Sequence, residues 1–329
     1  MQFSQTTILS FPRYVLSLSV AVLLGGCGGG SQPPIGTPGA MAQTASIDAH
    51  VEAHVGREAS WMLPGARSGA LIYSDGAVYS YPTGKRVGVL KVARDTGLCS
   101  DKVGNVYVTA WTSSSGESSI IYKFAHGATK PSSMLSEQGG ASSCSIDSTT
   151  GNLAVSNFNG TLAVFQEASH NPHYYNAPAG IAFVAYDSRG NLFASEHASS
   201  PDLLMELPKG SSTFTEIVLN SIINFSSIQW VNGSLIAAGW KTLDQGVNIY
   251  QISISGGGGQ VALTSTLNTR DNRSSGNQFL VHGKRIIGPY HGFNEIAFWR
   301  YPRGGEPIRH IGQSKTYTWG LAFSAAPHS

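Results

Sequence analysis

Seven side chains stand where apolar runs give way to polar loops, and all are of types that bind or react: Trp111, Asn157, Glu196, His197, Trp240, Tyr290 and His291. Indole and phenol faces stack on ligands, while carboxylate, amide and imidazole groups orient them through hydrogen bonds. Carboxylate and amide oxygens also suit a hard cation, so Glu196 with Asn157 could hold calcium or perform acid/base work. The sequence carries no Gly-x-Ser-x-Gly elbow, His-Glu-x-x-His or phosphate loop, so hydrolase-elbow, zincin and nucleotide chemistry have no local motif. No catalytic residue and no metal site is assigned, and the seven stand as ligand-binding candidates. His50 and His54 flank Glu52 at i and i+4 and would share a helix face, but without a third ligand the stretch reads as a solvated segment.

These residues need elements that bring them to one surface, and a repeat supplies such elements. Asp101-Lys-Val-Gly-Asn-Val-Tyr-Val108 reads as a strand end, a tight polar turn and a second strand. It returns as Asp147-Ser-Thr-Thr-Gly-Asn-Leu-Ala-Val155 and Asp187-Ser-Arg-Gly-Asn-Leu-Phe-Ala194, with degraded copies at Val231–Ala238 and His282–Ile287. A third strand repeats behind each, at Tyr79, Tyr122, Leu162, Met205, Ile249 and Phe298. Successive copies lie roughly 40 to 48 residues apart, the period of four-stranded propeller blades. Gly-Asn in the turn supplies the positive φ of a tight hairpin. Strands such as Val106-Tyr-Val108 are apolar at consecutive positions, as expected where both faces of a sheet are covered.

The fold expected is therefore all-β: a six-bladed β-propeller of four-stranded antiparallel blades over residues 61–325. Tyr317–Phe323 reads as a first strand with no second after it, and the unit from Ala70 lacks a first strand. The C-terminal strand should join the N-terminal blade and close the ring. If the Asp-x-x-Gly-Asn turns mark one end, the loops after the second strands lie at the other. Those loops differ more in length and composition, and they carry the seven candidates.

Among 329 residues, 39 glycines, 15 prolines and only 12% charged residues favour many short strands over long charged helices. The net charge of +2 comes without a dense Lys/Arg cluster, which leaves nucleic acid a poor partner. Cys99 and Cys144 stand two and three residues before the turn aspartates of adjacent units. In an exported protein they could form a disulfide, yet the one-residue offset would turn their side chains to opposite faces; a bridge and two buried thiols both remain open.

At the N-terminus, Arg13 precedes an apolar run, Tyr14 to Leu24, of about 11 residues, shorter than the roughly 20 that span a bilayer as a helix. Leu24-Gly-Gly-Cys27 closes it and resembles the lipobox of bacterial lipoproteins. That resemblance implies cleavage after residue 26, a lipid on Cys27 and, with Gly28 following, sorting to the outer membrane, on its periplasmic or surface face. Residues 28–60, rich in Gly and Pro at their start, would be a flexible tether.

The Asp-x-x-Gly-Asn turns and their period resemble the six-bladed propellers grouped with NHL-repeat proteins and gluconolactonase-type calcium lactonases, over about residues 61–325. Propellers of this kind include enzymes, carbohydrate binders and scaffolds. The expectation is a lipid-anchored binding or scaffold module at the bacterial cell envelope, held to the membrane through its N-terminal lipid, with a glycan or an envelope protein as ligand and no cofactor. The alternative is a calcium-dependent lactonase-like hydrolase working in the channel.

Overall fold

The turn aspartates do the local work. In the computed structural model, Asp101 Oδ1 accepts the N–H groups of Val103 at 3.1 Å and Asn105 at 2.8 Å, while Oδ2 accepts Asn105 Nδ2 at 2.6 Å. Asp187 repeats the pattern with Arg189 and Asn191, at 2.8, 2.8 and 2.9 Å. Asp147, whose turn is one residue longer, takes the Thr149 N–H at 2.8 Å and the Thr150 hydroxyl at 2.6 Å. Burial works against the charge of Asp147, but the hydroxyl and amide donors outweigh it and hold the carboxyl below its ordinary range. Gly104 has φ +89°, and a Cβ there would stand 2.3 Å from the Ala325 carbonyl oxygen, so both conformation and space require glycine.

The structure describes residues 59–178, 180–196, 202–240, 247–269, 278–291, 295–311 and 319–326. All belong to the unit Ser46–Ser329. Cys27, His50, His54 and His197, with the proposed signal and nearly all of the proposed tether, lie outside the described residues.

Each turn joins the first two strands of an antiparallel meander. Asp95–Ser100, Val106–Trp111, Ser119–Phe124 and Ser133–Glu137 form one four-stranded sheet. The segments from Ala141 to Asn176 and from Ile181 to Glu216 form two more. The strands from Asn224 to Leu267 and from Leu280 to Ile311 are two four-stranded meanders that meet through a parallel pairing of Leu267 with Gly305, and the short strand Val218–Leu219, paired to Gly258–Leu267, makes the sheet nine-stranded. The remaining sheet has five strands, one more than the repeat predicts, because Trp61–Met62 pairs outside Arg86–Val89 and covers its edge. Its inner strand is Leu321–Ser324, whose residues pair with Ser74 to Leu71.

Packing explains the consecutive apolar positions. Leu71 and Tyr73 pack with Leu98, Val106 and Val108 of the next sheet, while Ile72 between them packs with Ile287, Ile296 and Phe298 of the sheet behind. Leu153 and Val155 face Tyr107 and Ile121, while Ala154 faces Val184 and Ala194. Each fully buried large side chain of this kind contributes roughly 1.5–3 kcal/mol. The innermost strands touch in succession: Leu321–Ser324, Asp95–Ser100, Ala141–Ile146, Ile181–Tyr186, Asn224–Val231, Leu280–His282 and back to Leu321–Ser324.

Cys99 and Cys144 are bonded across two of these inner strands, with Cα atoms 5.6 Å apart. Both pack in the layer that holds Tyr107, Ile121, Leu153 and Val155, approaching it from opposite sides. The one-residue offset is what permits this. Equivalent positions on adjacent blades point the same way round the ring, so a shift of one turns one thiol to meet the other.

Deleting residues 320–329 exposes the apolar faces that Leu321 and Ala322 cover and should lower the melting temperature by about 10 °C or more; calorimetry showing the wild-type value would contradict the closure. The bridge spans 45 residues, for which chain entropy gives about 4 kcal/mol. Cys99→Ser with Cys144→Ser should therefore melt several degrees lower, and unreduced, denatured wild-type protein should show neither thiol to a titrating reagent.

Candidate functional site

At the loop end of the channel lies a cavity of about 560 Å³. Trp111 ends its strand there and donates its indole N–H to the Ala141 carbonyl at 2.9 Å, which swings the ring over the first strand of the next sheet. Phe158, the residue after the strand Leu153–Asn157, meets that indole edge to face, 5.9 Å between centroids. Trp319, just before the closing strand, and Phe183 complete the aromatic lining. Phe158 is 56% and Trp319 48% exposed, although both are large apolar groups.

The floor is polar and mostly occupied with holding the inner strands together. Thr96 Oγ1 donates to Ala141 O and Ser142 Oγ to Ala182 O, both at 2.8 Å. Ser143 Oγ accepts the Val184 N–H at 3.1 Å. A Cβ on Gly97 would lie 2.5 Å from Ser142 O, a measure of how near the adjacent strands run. Asp95 is different: its Oδ2 is buried and accepts no hydrogen bond among the described residues. Burial pushes its carboxyl up to about 6. Asp75, in the turn beside it, accepts the Gly320 N–H at 3.2 Å. Burial first, and then the charge of Asp95, drive the Asp75 carboxyl well above its usual range, against its backbone donors Gly320 and Trp319.

The expected set divides on inspection. Trp111 lines the cavity. Asn157 is 0% exposed and donates to Glu137 Oε1 at 2.9 Å and Thr161 Oγ1 at 3.0 Å. Glu137 also accepts the Gly139 N–H at 3.1 Å, and burial still raises its carboxyl. Glu196 is 5% exposed, and its backbone N–H donates to Leu203 O. Trp240 is 8% exposed, with its carbonyl taking the Asn224 amide at 3.1 Å. Tyr290 stacks on His310 at 5.3 Å and leans on Trp299, against a sheet face. His291 ends the strand Arg285–His291 opposite Glu295. Asn157, Glu196, Trp240 and Tyr290 thus do not meet at the cavity with Trp111.

The reading centred on second-strand ends passed over Asp95, Phe158, Phe183 and Trp319. First strands are innermost, so Asp95, Phe183 and Trp319, at or just before their starts, ring the mouth; second-strand ends lie one strand further out, and of these Trp111 and the adjoining Phe158 reach the cavity while Asn157, Glu196 and Trp240 are buried. A usable signal was present: Arg94-Asp95-Thr96 and Trp319-Gly320-Leu321 are the segments that lead into first strands. Among the described residues, no three His, Cys, Asp or Glu side chains converge as a metal centre would require.

The Asp95 environment sets a pH dependence. Because its folded carboxyl binds a proton more readily than in the unfolded chain, stability declines as pH rises from about 4 through 6, and the full cost of the buried charge is felt above that window. Asp95→Asn should raise the melting temperature at pH 7 to 8 and flatten this part of the profile, read as the variant-minus-wild-type difference; an unchanged slope would refute it.

No family model matches the chain, and no curated protein matches it. Its fold is similar to a chain in the crystal structure of a nidogen–laminin complex, with TM-score 0.60 and 11% identity over 79% of this chain and 99% of that one. It is also similar to the β-propeller domain of Cps50 (Swd1) from Myceliophteria thermophila, with TM-score 0.51 and 12% identity over 82% of this chain and 90% of that one. At such identities the likeness is one of fold, and the fold is a β-propeller.

Proposed function

We propose that this protein is a binding module of the bacterial cell envelope, a six-bladed propeller anchored by a lipid on Cys27, whose loop-end cavity receives part of a glycan or of an envelope protein. The observation that carries the reading is the aromatic-rimmed cavity of about 560 Å³. Half-exposed Phe158 and Trp319 beside Trp111 place apolar surface in water around a concavity, the usual mark of a recognition site. The blade count is supported by six apolar layers among the described residues, each lying between two successive meanders. It is supported too by the strand ladder between the last two meanders, which among the described residues holds one residue pair. The lipobox-like Leu24-Gly-Gly-Cys27 supports the anchor, and the likeness to a chain of a nidogen–laminin complex agrees with a role in protein contacts. Binding is preferred over lactonase-like hydrolysis because Asn157, in a buried node with Glu137 and Thr161, and Glu196, also buried, both lie away from the cavity lining.

The test uses the full chain recovered from membranes and offered to envelope glycans and an envelope protein extract. Wild type should retain a partner that Trp111→Ala with Phe158→Ala loses, by about tenfold or more in affinity, while melting normally. Cys27→Ala should move the chain from the membrane to the soluble fraction. Equal retention by wild type and the double variant would overturn the cavity reading, and unchanged membrane association of Cys27→Ala would overturn the anchor.

A further inference from the structure

We propose that the loop-end cavity recognises an organic cation, a ligand group bearing an ammonium seated among Trp111, Phe158 and Trp319 with its charge directed to Asp95. The inference rests on the reading of this cavity as a binding site and adds the chemistry of its ligand. Three observations converge on it.

The first is an uncompensated carboxylate. Asp95 lines the cavity, and its Oδ2 is closed from solvent without a hydrogen-bond donor, so a cation in the cavity would act on this carboxylate at short range through space and not by contact with that atom. Asp75 stands close enough for the two charges to interact. Neither carboxylate has an ion-pair partner among the described residues. Arg94 is next in the chain to Asp95 and lines the same cavity, yet its side chain is exposed and is not ion-paired with it. Burying a carboxylate without a partner is costly, and a cation from outside offsets that cost.

The second is the wall. Trp111, Phe158, Phe183 and Trp319 surround the space above Asp95. Aromatic faces attract a weakly hydrated cation through the ring quadrupole, and the attraction grows when water is excluded.

The third is the donor set, which favours an organic cation over a metal ion. Hard divalent ions take six or more oxygen ligands. Here Asp95 is the one carboxylate among the described lining residues, and the Thr96 and Ser142 hydroxyls donate to Ala141 and Ala182, under an apolar roof. The volume also exceeds a bare ammonium, so the cation would be the head of a larger group. An amino sugar, a lysine side chain and a choline head all present this chemistry.

The test is calorimetric titration of the full chain at neutral pH with matched pairs: glucosamine against N-acetylglucosamine, lysine amide against its Nε-acetyl form, and choline against its uncharged carbon isostere. The pair that fits identifies the source of the ammonium. At least one cation should bind about tenfold or more tightly than its neutral partner. Asp95→Asn should abolish that preference without weakening the neutral compound, and Trp111→Ala should weaken both; melting curves confirm that each variant is folded. Equal affinity within every pair, a preference that survives Asp95→Asn, or no saturable binding of any cation would overturn the inference. If neutral compounds or an envelope partner still bind in a Trp111-dependent way, the binding module stands and only its cation chemistry falls. If neither probe nor partner distinguishes wild type from Trp111→Ala, both fall.

Discussion

The constraint on which everything else rests is that each sheet has two apolar faces and neither can be left to water. Along Leu71-Ile72-Tyr73 the side chains go alternately to the sheet ahead and the sheet behind. A single sheet of this kind cannot be stable alone, and a row of them would leave two bare faces at its ends. Closure into a ring covers them all. Leu321–Ser324 supplies the closing strand, and His126 Nδ1 with Ser324 Oγ at 2.6 Å and Ser100 Oγ to Phe323 O at 2.6 Å fasten it to the next sheet.

Closure creates a second problem at the axis. The innermost strands of neighbouring sheets approach one another without forming a common ladder, so main-chain groups on their channel side need other partners. Short side chains provide them. Thr96 and Ser142 reach the carbonyls of Ala141 and Ala182, Ser145 Oγ takes the Tyr186 N–H, and the Gln229 amide spans both polar groups of Val281. The Cys99–Cys144 bond is the covalent member of the same set. These polar clasps account for the many small hydroxyl residues in strands that must also pack tightly.

The cavity follows from the same geometry. Where first strands begin, the clasps end, leaving room beside Asp95 that aromatic rings border without filling. Asp75 helps secure the closing strand by accepting the Gly320 N–H, and it brings a second carboxylate beside the first. Architecture and recognition thus share residues: the segment that closes the ring also carries Trp319 to the rim.

The sequence by itself determined the local units. Aspartate carboxylates that satisfy the amides two and four residues onward, glycines at positive φ and doubly apolar strands are short-range properties, so the repeat, the all-β class and the late closing strand were legible in Asp101–Val108 and its echoes. Tertiary structure alone decided which loop residues meet. Trp111 and Asn157 end equivalent strands, yet one leans over the channel and the other is bound into a buried node with Glu137, a difference set by neighbouring sheets distant in sequence. The register of Cys99 against Cys144 had the opposite meaning once the blades were wrapped round an axis, because facing partners must come from opposite sides of equivalent strands. Strand pairing is encoded within a few tens of residues, whereas a shared cavity depends on how all the sheets pack about a common centre.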